Sequence, residues 1–370
     1  MKKLFVLIIA FTHLIFSDDE PMHEHHEHHE HHEHHDSMET MDHSYHSSQH
    51  NPAPIGVAGN MHHMGWMFAI KQGSMTMKGN ILDGESISDS EILQRPNEVN
   101  SMPNNLSVIP KKMDMQMTMI EAMYAPSKDL TLMIMATQLS KDMSLDTYSA
   151  MMNRDLIGSF STSSSDFSDI TVSALFTLKS LENSKSHAEF SYQKSIGSNN
   201  QMDEVFTPMG SYMNMTLPYA MQPSDKASRL VLGLTNSRRI NDKTSLSGQI
   251  RYKKIINEKD WSFGNQTEIN SWIQYQYKPS ISLSTRLKFI NQEEISGSSA
   301  TITAPVQTVN PRNYGGNELH LGFGANYKIN LFANESEQIG IEILFPLMQN
   351  KNNLQMETNY QFIVGYKRTF

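Results

Sequence analysis

The stretch Leu246-Ser247-Gly248-Gln249-Ile250-Arg251-Tyr252-Lys253 alternates apolar and polar positions, and Ile281-Ser282-Leu283-Ser284-Thr285-Arg286-Leu287-Lys288-Phe289 does so again. In an extended chain successive side chains point to opposite faces, so a period of two describes a strand with one apolar and one polar face. Outward from these segments the period persists. Ile170, Val172, Ala174, Phe176 and Leu178, for instance, interleave with Thr171, Ser173 and Thr177. The pattern predicts twelve strands, at 66–78, 112–124, 130–139, 168–179, 186–194, 228–236, 244–253, 267–278, 281–290, 317–328, 338–347 and 359–370. Most of them run 9 to 13 residues. That exceeds the ~5–6 usual in soluble sheets and approaches the ~9–11 needed to cross a bilayer at a tilt.

The connections decide between architectures. Every even-numbered connection between these segments is short, at most 9 residues, and every odd-numbered one is longer, from 11 to 33. A transmembrane antiparallel β-barrel needs this alternation, with tight turns at one end and long loops at the other. A soluble β-sandwich has no reason to segregate its loops in that way. Tyr124, Tyr252, Tyr275, Tyr277, Tyr327 and Tyr366 fall near strand ends on the apolar face, where aromatic girdles sit. The final strand ends in Phe370, sharing a face with Phe362, Val364 and Tyr366, as in the assembly signal of Gram-negative outer-membrane barrels. The expected fold is therefore all-β, a barrel of about twelve strands spanning residues 61–370. An even strand number places both termini on the periplasmic side.

The N-terminal segments read differently. Lys2 and Lys3 precede an apolar run from Leu4 to Phe16, and acids begin at Asp18, which fits a signal peptide over residues 1–17. No later run of about 18 apolar residues occurs, so a transmembrane helix is not expected. Residues 18–60 hold ten acids and no Lys or Arg, and twelve of the 17 histidines lie between His23 and His50. Such a composition cannot bury enough apolar area to offset chain entropy, so a disordered tail is expected. Its four Glu-His-His triplets present His25, His26, His28, His29, His31, His32, His34 and His35. Clustered neutral imidazoles among carboxylates suit Zn, Ni or Cu(II).

Composition narrows function further. The formal net charge is −9 over 370 residues, concentrated in the tail, so there is no basic field for nucleic acid. Cysteine is absent, which excludes disulfides, thiolate metal sites and cysteine nucleophiles. No Gly-x-Ser-x-Gly elbow, phosphate loop or metalloprotease helix is present, and an enzyme is not expected. The polar strand faces should line the lumen. They carry Arg251, Lys253, Glu268, Arg286, Lys288, Glu318, His320 and Glu342, with His187 and Glu189 on the fifth strand. The four basic residues form an expected inward strip.

Methionine, at 27 residues, is unusually common. Met113, Met115, Met117 and Met119 share one face of the second strand, and the apolar-out rule would turn them toward lipid. Met133 and Met135 share a face with Thr131 and Thr137 and should point inward. Thioethers suit Cu(I) or Ag(I), which makes Met133, Met135, Met213 and Met215 candidate soft-metal ligands. Met is equally a pliable apolar filler.

Several blocks resemble a family of outer-membrane transporter proteins linked to meta-pathway phenol degradation. They are Ala53-Pro54-Ile55-Gly56-Val57, Met61-His62-His63-Met64-Gly65-Trp66-Met67, Met113 to Met119, and Ala122-Met123-Tyr124-Ala125-Pro126-Ser127. Further blocks are Thr207-Pro208-Met209-Gly210, Leu217-Pro218-Tyr219-Ala220-Met221-Gln222, Ala304-Pro305-Val306-Gln307-Thr308 with Asn310-Pro311, Gly315-Gly316, and Gln355-Met356-Glu357-Thr358. The resemblance covers residues 53–370 and implies a β-barrel with a transport-like role and no catalytic residues. Residues and resemblance together predict a channel for passive passage of small molecules. Its partners would be outer-membrane lipids, the barrel-assembly machinery and small-molecule or metal solutes. No cofactor is required, and the tail is able to take up Zn, Ni or Cu ions. A metal-handling barrel for copper, zinc or nickel is the alternative reading, and a structural barrel without transport the next.

Overall fold

The computed structural model describes residues 53–61, 64–100, 102–151, 154–329 and 336–370. The expected signal peptide and the histidine triplets lie outside the described residues. Twelve long strands appear in chain order: β1 (Gly65–Leu82), β2 (Val108–Ser127), β3 (Leu130–Tyr148), β4 (Leu156–Ser180), β5 (Ser184–Ser195) and β6 (Ser228–Asn241), then β7 (Thr244–Asn257), β8 (Gln266–Lys278), β9 (Ile281–Gln292), β10 (Gly316–Ile329), β11 (Ser336–Lys351) and β12 (Leu354–Thr369). Each pairs antiparallel with its chain neighbours. β12 closes the barrel on β1, in register from Met67 opposite Thr369 to Leu82 opposite Leu354. Closure removes every free sheet edge, as a β-structure in lipid requires.

The barrel is inside-out relative to a soluble protein. Trp66, Phe68 and Ile70 on β1, Tyr124 on β2, Leu132 and Ile134 on β3, and Ile339 and Ile341 on β11 all point outward and are exposed. Thr171, Gln249, Asn270, Arg286, His320 and Glu342 are buried inside. An exposed apolar belt of this extent is a liability in water and a requirement in lipid. The chain ends seal one edge of it. The backbone N–H of Phe370 donates to the Trp66 carbonyl at 2.9 Å, and its ring meets Phe68 edge-on at 5.8 Å. Gly65, at φ +83°, is where a Cβ would strike the Phe370 carbonyl, so the position directly before Trp66 has to be glycine.

Two expectations need correction. The third and eleventh connections were expected to be long. They shrink to 149–155 and 352–353, because β3, β4, β11 and β12 continue past the predicted ends. The methionine face of β2 is also reversed. Met113, Met115, Met117 and Met119 share parity with the buried Glu121 and Met123, so they face the interior. The outward partners explain this. The Thr76 hydroxyl donates to Asp114 at 2.8 Å and the Thr118 hydroxyl to Gln72 at 2.6 Å, and Gln138, Ser140 and Asp142 continue the same polar outer surface on β3. This stretch lies beyond the apolar belt. Outside meets water there, so the apolar-out rule inverts.

The end opposite Gly65 and Phe370 is covered by the connections 83–107, 196–227, 258–265 and 293–315. Their buried Tyr219, Met221, Trp261 and Val306 pack with the inward Met113 and Met143 in one apolar cluster. The Lys141 ammonium on β3 donates to the carbonyls of Ala220 (2.9 Å) and Gln222 (2.8 Å), holding that connection inward. Asp225 ties it sideways, accepting from Arg229, from the Ala227 N–H at 3.0 Å and from the Phe263 N–H at 2.9 Å.

Candidate functional site

The barrel interior holds the site, and part of it is the chain's own N-terminal segment. Residues 53–60, expected to belong to the disordered tail, instead cross the lumen near the end where the termini lie. Glu342 on β11 accepts from the Gly56 N–H at 3.1 Å, the Gln249 amide on β7 donates to the Ala58 carbonyl at 2.8 Å, and His187 Nε2 on β5 lies 2.8 Å from the Gly59 carbonyl. Asn326 on β10 reaches Ala53, and Met61 packs against Met67, Met123, Met133 and Leu175 before the chain enters β1. Gly59, at φ +68°, approaches the Glu189 carboxylate so closely that any side chain would collide with it. Residues 53–60, which precede the expected boundary at 61, are thus held against the barrel wall. The signal for this was Gly56 and Gly59 within an apolar block. It went unread because the histidine-rich composition just upstream dominated the segment.

Around this segment the wall is a series of ion pairs. Arg251 makes two hydrogen bonds to Glu189, at 2.8 and 2.9 Å. The Arg286 Nε lies 2.8 Å from Glu342 Oε1, and its Nη2 donates to Oε2 at 3.0 Å. Lys288 lies 3.4 Å from Glu268, which also accepts from Asn270 at 2.7 Å. Glu318 sits between His320 (3.4 Å) and Lys351 (3.8 Å), and Lys71 pairs with Glu121 at 2.7 Å. The expected basic strip is thus not a strip. Arg251, Arg286 and Lys288 are each neutralised by a carboxylate on another strand, and only Lys253 of the four has no acid within 4.0 Å among the described residues. Their alternation along β7 and β9 was legible in the sequence. Their partners, 55 or more positions away for two of the three, were not.

Beside residues 53–61 the pairs leave a cavity of about 560 Å³. Its lining includes Met61, Met67, Met123, Met133 and Met135, and also Lys185, Lys253, Lys367, Trp272 and Gln274. Of the candidate soft-metal ligands, Met133 and Met135 are therefore lumenal. Met213 and Met215 sit apart in a hairpin formed by Met202–Phe206 and Tyr212–Thr216. Neither barrel histidine has a serine or threonine hydroxyl as a hydrogen-bond partner among the described residues.

No family model matches the sequence, and no curated protein does. Solved structures do match. The COG4313 outer membrane channel from Pseudomonas putida F1 is 13% identical and aligns over 85% of this chain and 98% of its own, with a TM-score of 0.54. The P. putida toluene transporter TodX (10% identity, 83% and 90% covered, TM-score 0.42) and the NanC porin (7%, 82% and 100%, TM-score 0.39) are more distant. Of these three, the COG4313 channel is similar enough to bear on architecture, and it shares the barrel. The fold expected from the resemblance is the fold observed, and nothing in these matches bears on phenol chemistry.

Proposed function

We propose that this protein is an outer-membrane channel for passive passage of small molecules, with both chain ends on the periplasmic side. One observation carries the reading: a closed barrel with an apolar outer belt encloses a cavity of about 560 Å³, lined by both lysines and methionines, instead of a filled core. Twelve strands are enough to leave such space, because eight-stranded barrels are already filled by their own side chains. The lumen segment 53–60 acts as a partial plug. It crosses the interior and is held by single hydrogen bonds to β5, β7, β10 and β11 rather than by a sheet ladder.

Planar-bilayer conductance tests this. The full-length protein should conduct weakly, and a variant lacking residues 53–60 should conduct several-fold more. Equal conductance would mean that the segment obstructs nothing, and silence from both proteins would refute the channel. The histidine triplets make the tail a second functional element, a loose chelator for Zn, Ni or Cu(II) at the channel's periplasmic approach.

A further inference from the structure

Building on the channel reading, we propose that the lumenal cavity selects small organic anions that carry an apolar ring or chain, carboxylates foremost. Two independent features of the lining point there.

The first is charge. Lys185 on β5, Lys253 on β7 and Lys367 on β12 all line the cavity, and none has a carboxylate within 4.0 Å among the described residues. The other charged groups of the lining cancel, Lys71 with Glu121 and Arg251 with Glu189. The acids that act on the three lysines from beyond 4.0 Å are Asp169 and Glu268 for Lys253, Asp129 for Lys185 and Glu121 for Lys367. Of these, Asp169 is engaged by the Ser168 and Thr171 hydroxyls at 3.0 and 3.3 Å, Glu268 by Lys288 and Glu121 by Lys71. Three unbalanced ammonium groups in a narrow, low-dielectric passage concentrate anions and exclude cations.

The second feature is hydrogen bonding. Trp272 Nε1, Gln274 Nε2 and Gln338 Nε2 are all buried, all belong to residues lining the cavity, and all lack a partner. Indole N–H is a donor only, and each amide nitrogen donates. Buried donors without acceptors are rare, and each of these three has under 1 Å² exposed, so it meets an acceptor in the cavity when the lining side chains shift. A carboxylate offers about four lone-pair positions to such donors. The apolar part of the ligand has its own surface. Met67, Met123 and Met133 stand directly opposite one another across β1, β2 and β3, and Met61 packs on them. Thioethers could instead bind a soft cation, but the unbalanced lysines of the same cavity oppose that, so the methionines serve as a pliable apolar wall. The volume falls within the ~300–1,000 Å³ range of small-molecule sites.

The test uses the intact folded protein in detergent. Sodium benzoate is titrated against it while tryptophan fluorescence is read, with benzylamine as the cationic analogue and silver nitrate as the soft-metal probe. Trp272, only 3% exposed and in the lining, is the expected reporter. Benzoate should give a saturable change that Trp272→Phe abolishes. Lys253→Glu and Lys367→Glu should each weaken it at least tenfold, whereas Lys253→Arg should retain it. A matching response to benzylamine, a response to silver alone, or full benzoate binding by both Glu variants would overturn the proposal. If the Glu variants fold poorly, Lys253→Gln makes the same comparison. A conducting barrel that ignores benzoate refutes this inference and spares the channel. Benzoate binding in a barrel that conducts nothing supports the site and refutes the channel.

Discussion

Replacing Glu342 by Gln tests whether the lumenal ion pairs hold the barrel together. Glu342 and Arg286 are 0% and 1% exposed, so solvent does not screen their interaction. Removing one partner of a buried pair leaves the other charge uncompensated, at a cost of about 3–5 kcal/mol. The glutamine amide oxygen can still accept from Arg286 and from the Gly56 N–H, which places the expected loss near the lower bound, ~3 kcal/mol. At 1.4 kcal/mol per decade that is about a hundredfold in the unfolding equilibrium. With a urea slope of about 2 kcal/mol/M, the midpoint should fall by ~1.5 M. Trp272 lies directly opposite Arg286 in the β8–β9 register, so its fluorescence reports unfolding at this site in detergent micelles. The double variant Arg286→Met with Glu342→Met removes both charges and strands the Gly56 N–H and the Asn270 Oδ1, so it should lose ~2 kcal/mol. A Glu342→Gln protein within 0.5 kcal/mol of the parent (a margin set by the ~0.3–0.5 scatter of independent sites) would refute the reasoning. So would a double variant as unstable as the single one.

Other outcomes follow from the same contacts. Burial pushes the Asp225 carboxyl up, but Arg229 and the Ala227 and Phe263 N–H groups outweigh it and hold the group below its ordinary 3.8. A lowered value stabilises fully above 3.8 and is lost as pH falls through the depressed value. Trp261, two residues before Phe263, should therefore keep its buried fluorescence at pH 5–7 and lose it in stronger acid. In Asp225→Asn the loosening should be present at every pH. Deleting Phe370 removes its bond to Trp66 and its ring contact with Phe68, so the variant should insert poorly and lack the heat-dependent gel shift expected of the parent. Calorimetry should find Zn, Ni or Cu(II) binding that disappears when residues 18–52 are removed. That binding should weaken as pH falls through ~6.5, because protonated imidazole cannot ligate. Undiminished binding by the truncated protein would move those sites into the barrel.

How much of this was legible in the sequence depended on the range of the interaction. The period of two located all twelve strands and turned Arg286, Glu342, His320 and Glu318 to the polar face, because facing is decided by each residue's own neighbours. Strand ends were less legible. β4 runs from Leu156 to Ser180, but its Ser159–Ser165 stretch is so rich in serine that it reads as loop. It is a strand because β3 extends alongside it from Leu130 to Tyr148, with register shifts after Thr137 and after Thr147. The facing of Met113 to Met119 failed for a related reason. Hydropathy marks an apolar face, but whether that face meets lipid or lumen depends on where along the strand the belt stops. The segment 53–60 was invisible as structure because all of its hydrogen bonds go to residues more than a hundred positions away, apart from local turns.

If the lumen passes anions as proposed, it separates stability from selectivity. Arg251, Arg286, Lys288 and Lys71 each face a carboxylate from a different strand, so these pairs stitch the wall and the N-terminal segment together while adding almost no net field. Lys185, Lys253 and Lys367 stitch nothing and supply the field. Exchanging a paired residue should therefore move the unfolding midpoint and leave discrimination between anions and cations nearly intact in whatever fraction still folds. Exchanging one of the three unpaired lysines should do the reverse, because no buried partner is orphaned when it goes. The sequence reading put an inward basic strip on Arg251, Lys253, Arg286 and Lys288; three of these are paired with carboxylates, which leaves Lys253, with Lys185 and Lys367 near the strand ends, to supply the proposed field. Conservation of net charge along a strand is thus a poor guide to its field, since a cation cancelled across the barrel by Glu342 or Glu268 is silent to a passing solute.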